Sequence, residues 1–175
     1  MTIERARKRA EALDSKTHDE IGQLQLGRPH EVFSDIRAYL LRRSEEMNCR
    51  NNPIQLLKLR ETNGVALIAL GPTIDKGSTP EHFHFDSGAR LSFGLTLREV
   101  DRESQLVSFR YHYQLPAAGS PEYLRFDLTD APHQDPLMEP LCHLHPGLED
   151  VRIPLSLHHP FDILDRIFFV LEKGL

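Results

Sequence analysis

Leu91-Ser92-Phe93-Gly94-Leu95-Thr96-Leu97-Arg98 and Val107-Ser108-Phe109-Arg110-Tyr111-His112-Tyr113-Gln114-Leu115 decide the fold. In both stretches apolar and polar residues alternate. Successive side chains on a strand point to opposite faces, so each stretch has one apolar and one polar face. Strands of this kind cover a core with one side and wet the other, which favours antiparallel pairing. Asp101 to Ser104 reads as the turn between them. After a Pro/Gly loop at 116–121, Leu124, Phe126 and Leu128 alternate with Arg125, Asp127 and Thr129.

Upstream, residues 55–60 and 65–70 flank Asn63-Gly64. That dipeptide suits a type I′ hairpin turn, whose two central residues need positive φ. Gly71 to Pro80 reads as a loop and Glu81 to Asp86 as a short strand, making about six strands. The first 50 residues have helical spacing instead. Ile3, Ala6, Ala10 and Leu13 mark a first helix. Thr17-His18-Asp19-Glu20 has the form of a capping box, which predicts a break near 15–17 and a short second helix. Pro29 opens a third, with Phe33, Ile36, Leu40 and Met47 as its stripe, closed by Asn51-Asn52-Pro53. At the other end Pro160 starts a helix with Ile163, Leu164, Ile167, Phe168 and Leu171 on one face and Gly174 as its stop. The expectation is an α+β fold: a helical extension over 1–52, then an antiparallel β-meander with a C-terminal helix over 53–175, in one compact unit. The helix and the strand faces Leu91/Phe93/Leu95 and Phe109/Tyr111/Tyr113 should share one core.

The chain has 175 residues, 21 Lys/Arg and 26 Asp/Glu, for a formal charge of −5. Its 39% hydrophobic and 27% charged composition is that of a globular domain. No apolar run reaches the ~18 residues of a membrane span, and the N-terminus has no signal-peptide pattern. Two cysteines, Cys49 and Cys142, form no framework. These features predict a cytoplasmic protein with reduced thiols and no membrane partner. The acidic charge excludes nucleic-acid binding by bulk charge and leaves it to a local patch. There is no phosphate-binding glycine loop, dinucleotide fingerprint, nucleophile elbow or H-E-x-x-H.

Ten histidines stand out, five of them within residues 133–159, where proline is also dense. Two places could carry chemistry. The first is the polar face of the strand pair. If 105–115 pairs with 122–130, partners sum to about 237, which puts His112 opposite Arg125 and Arg110 opposite Asp127. Ser92, Thr96 and Arg98 would join that face. A His between Arg and Asp can exchange protons near neutral pH, and Arg can hold phosphate charge. An ordinary solvated sheet face with cross-strand ion pairs would look the same.

The second place is His143-Leu144-His145 with Glu149. Histidines at i and i+2 of a strand share a face, as metal ligands do. Pro140 and Pro146 flank the pair and argue against a central strand. His133 could add a third ligand, and Cys142 would point away. Cupins use this His-x-His spacing, although the glycines of their motif are absent here. The divalent metal set read this way is His133, His143, His145 and Glu149, with an ion such as Zn²⁺. The two places could also combine, if residues 130–160 fold back over the polar face and bring His133, His143 and His145 to Arg125 and Asp127.

Tyr111-His112-Tyr113, Leu124-Arg125-Phe126-Asp127, Ala131-Pro132-His133 and His143-Leu144-His145-Pro146-Gly147 together resemble the TumE-type toxin family of bacterial toxin–antitoxin pairs. The resemblance covers roughly residues 80–175. It implies a toxin-type domain acting on RNA or translation, neutralised by a partner antitoxin. Carried over by position, it points to Arg125, Asp127, His133, His143 and His145. With His112, these form the candidate catalytic set of a ribonuclease that needs no cofactor. His112 and His133 would be the acid and base, and Arg125 the phosphate holder. The other function classes are the histidine-rich metal-binding module and a non-catalytic protein that forms homo-oligomers through its N-terminal helices.

Overall fold

The computed structural model describes residues 3–47, 53–71, 82–116, 122–129 and 140–172. The chain is an α+β protein built on an antiparallel sheet. The path runs β2 (Leu57–Thr62), β3 (Val65–Leu70), β5 (Arg90–Val100), β6 (Glu103–Gln114), β7 (Tyr123–Leu128), β8 (Cys142–His145) and β9 (Ile153–Pro154). Two further short strands pair off this path: β1 (Gln25–Leu26) with β6 and β4 (Phe83–His84) with β5. Among the described residues that makes nine strands, three of them only two residues long.

The β2–β3 hairpin closes on Asn63 and Gly64, with φ of 52° and 74°. Both are left-handed, as a type I′ turn requires. The β5–β6 turn is tighter than the predicted 101–104. Only Asp101 and Arg102 lie between the strands, again with positive φ (51° and 72°), and Glu103 already pairs with Val100. Asp tolerates this conformation through its short polar side chain, whereas Arg does so at a cost. A bulge between Thr96 and Leu97 adjusts the long pair midway.

The N-terminal helix corrects the sequence reading. Helix α1 runs unbroken from Ile3 to Gln23, and Thr17 is not a cap. Its side chain is 1% exposed and lies seven residues beyond buried Ala10. Thr17 therefore continues the inward stripe that leads to Ile21 and Leu24, and that packing outweighs a local capping signal. Helix α2 (Pro29–Glu46) buries Val32, Ile36, Tyr39 and Leu40. A single helical turn, α3 (Pro53–Leu56), precedes β2. Helix α4 (Pro160–Asp165) continues as a π-helical stretch, Arg166–Leu171. Its residues Ile163, Leu164, Ile167 and Phe168 pack with Leu91, Phe93, Leu95, Phe109, Tyr111 and Tyr113 in one core. Phe168 makes edge contacts with Tyr39, Phe83 and Phe85. Both α2 and α4 thus cover the apolar face of the sheet. None of the helices among the described residues is long and apolar enough to cross a membrane.

The histidine pair, whose flanking prolines argue against a central strand, lies on one between β7 and β9. Pro140 and Pro146 sit just outside β8, so neither removes a bond from its ladder with β7. His143 and His145 do not reach the polar face by a loop folding over it. They reach it because β8 extends the sheet.

Candidate metal centre

The site follows from register. Ser92, His112, Arg125 and His145 are successive cross-strand partners, which forms one row over β5 to β8. Gly94, Arg110, Asp127 and His143 form the next row. Both rows belong to the polar face. The His112–Arg125 and Arg110–Asp127 pairs are those expected from the strand patterns. Gly94 contributes no side chain, and a cleft of about 420 Å³ opens there, lined also by Thr96, Ser108, Arg110, Arg125, Asp127, His143, His145 and Arg152.

At one side of the cleft three ligand atoms converge. His143 Nε2 and His145 Nε2 are 3.1 Å apart. Asp127 Oδ2 lies 3.8 Å from the first and 3.6 Å from the second. All three residues are buried. The other nitrogen of each imidazole faces a backbone carbonyl: His143 Nδ1 is 2.6 Å from Pro140 O and His145 Nδ1 is 3.3 Å from Leu148 O. A carbonyl can only accept, so Nδ1 carries the proton in both rings and Nε2 presents a lone pair. Two lone pairs facing each other at 3.1 Å need a cation between them. A metal ion or a shared proton would fill that role, and burial holds His143 below the usual histidine range, against the pull of the Pro140 carbonyl and Asp127.

The spacing fits a metal ion. Zinc–ligand bonds of about 2.0–2.1 Å place tetrahedral donors about 3.3 Å apart. The three observed separations bracket that value. Two imidazoles and one carboxylate would give an ion three ligands from the described residues. Asp127 Oδ2 also accepts from Arg125 Nε at 2.8 Å, and Oδ1 from Arg110 Nε at 3.3 Å. A carboxylate oxygen has lone pairs for both an arginine and an ion. The arginines and carbonyls thus hold these three side chains in their orientations, as groups around a metal's ligands would.

Arg125 links this centre to the surface. Its Nη1 donates to Glu149 Oε1 at 2.6 Å, and Tyr123 Oη donates to the same oxygen at 3.0 Å. The Arg125 hydrogen bond holds the Glu149 carboxyl below the usual range. Glu149, one of the expected ligands, is therefore engaged by Arg125 and Tyr123, while Asp127 stands beside the two histidines. Cys142 points to the other face, where its thiol donates to Ser156 O. Burial, then the nearby Asp127 charge, pushes that thiol up to about 12, so it stays protonated.

Of the expected catalytic set, the fold brings Arg125, Asp127, His143 and His145 together. His112 lies on the same face with its ring edge-on to Tyr123, and it does not line the cleft. Burial, followed by the neighbouring Arg125 charge, lowers its proton affinity. His133 and Cys49 lie outside the described residues. Arg152 lines the cleft and was not anticipated, because no pattern ties the 146–152 turns to the sheet face. Against family models, curated proteins and solved structures, the chain has no match.

Proposed function

We propose that the chain binds one divalent transition-metal ion through Asp127, His143 and His145 and uses it to hydrolyse a phosphate ester. The observation that carries this reading is the pair of Nε2 atoms 3.1 Å apart, each ring anchored through Nδ1, with Asp127 Oδ2 beside them. The ion would supply a Lewis acid and an acidified water in a partly enclosed cleft. Arg110, Arg125 and Arg152 give the cleft the positive charge that suits a phosphate. The resemblance to TumE-type toxins supports RNA as the polymer and a partner protein as its antagonist.

Elemental analysis and melting with added Zn²⁺ test the centre. At a free ion concentration 100 times Kd, binding adds about 2.7 kcal/mol of stability. For a chain of this size that raises Tm by roughly 5–10 °C. One ion per chain and a rise on this scale are expected. No bound metal and an unchanged Tm would remove the proposal.

A second reading draws on the same contact. Two imidazoles that share a proton, with an arginine in reach of phosphate, are equipment for metal-independent RNA cleavage of the toxin type. RNA cleavage that persists unchanged in chelator-treated, metal-free protein would select this reading over the first.

A further inference from the structure

The geometry points to an oxyanion seat at Arg125 and Tyr123, held by Glu149 and released to the phosphate of a bound ligand. It extends the reading of the cleft as a phosphate-ester site, but it does not need a bound ion. Arg125 is built in: its side chain is 14% exposed, and its Nε is fixed by Asp127, which is 8% exposed. That bond aims Nη1 outward. Glu149 is the opposite case. Its side chain is 67% exposed, on a turn between β8 and β9. One of its oxygens, Oε1, takes both Arg125 Nη1 and Tyr123 Oη.

A single oxygen receiving a guanidinium N–H and a phenol O–H is how a protein holds one oxygen of a phosphate. An exposed carboxylate bound by a long flexible side chain is weakly held. A phosphate can use the same two donors and offer its further oxygens to the rest of the Arg125 fork, so exchange favours it. Charge names the class of anion. Among the described residues, Arg110, Arg125 and Arg152 line the adjoining cleft beside the carboxylate of Asp127. Guanidiniums grouped in this way suit phosphate better than a lone carboxylate. The anchoring of His145 to Leu148 O holds the base of the Glu149 turn against the site, so a small swing of one side chain opens the seat.

Calorimetric titration of chelator-treated full-length protein tests this, with inorganic phosphate and with dimethyl phosphate as a minimal diester. Glu149→Gln keeps the shape and removes the competing charge. It is expected to bind at least one of the two anions about five- to tenfold more tightly than wild type. A gain with dimethyl phosphate assigns a diester, and a gain confined to inorganic phosphate assigns a monoester. Arg125→Lys in the Glu149→Gln background should reverse the gain, because a point charge replaces the fork. No gain with either anion, or a gain that survives Arg125→Lys in folded protein, overturns the proposal. Because no metal is present, the result stands or falls separately from the metal centre.

Discussion

Asp127→Asn is expected to weaken Zn²⁺ binding by more than about 100-fold while the chain stays folded. Losses in the shell outside a metal centre typically cost about 10–100-fold, and this change removes the anionic member of the described ligand set. The amide keeps the shape and still accepts a hydrogen bond from Arg125. What it loses is the charge that faces two guanidiniums and two lone-pair nitrogens. Arg125 retains Glu149 as a partner, so the stability cost should stay near about 1–3 kcal/mol. Competition against a chromophoric chelator measures the affinity, and circular dichroism checks the fold. A folded variant with wild-type affinity would exclude Asp127 as a ligand.

The second large effect is structural. Phe168→Ala should destabilise the chain by about 3–5 kcal/mol, the range for truncating a fully buried phenylalanine. Its ring has no exposure and meets Tyr39 of α2, Phe83 of β4 and Phe85 just beyond, at centroid distances of 5.8, 5.5 and 5.1 Å. Edge-on aromatic packing adds to the area it buries. It therefore joins both covering helices to the sheet, and no single neighbour can collapse into the void. Urea unfolding should show a lower midpoint with little change in slope. A loss below about 1 kcal/mol would mean that α4 is not part of the common core.

Much of the fold is legible because local patterns repeat over many residues. Alternation from Leu91 to Leu115 sets β5 and β6, Asn63-Gly64 sets a hairpin, and the spacing from Ile163 to Phe168 sets the last helix. The His112–Arg125 and Arg110–Asp127 pairs follow once the β6–β7 loop is assumed to be short. The centre itself is harder to read. Asp127 meets His143 only through the β7–β8 register, and residues 130–139 between those strands carry no turn signal that sets a register. The flanking prolines also mask a strand of only four residues. Glu149 then looks like the acid of the histidine pair because it is close in sequence, while the acid at the pair comes from the neighbouring strand. Thr17 misleads in the same way: its capping pattern is local, and the stripe that buries it spans the whole helix.

Titrating metal-free protein with Co²⁺ and recording its visible spectrum tests the central claim most directly. Two imidazoles and a carboxylate should give the intense d–d bands of a four- or five-coordinate ion, saturating at one equivalent and lost in His143→Ala and His145→Ala. A spectrum that stays that of hexaaqua Co²⁺ through the titration would contradict the metal centre.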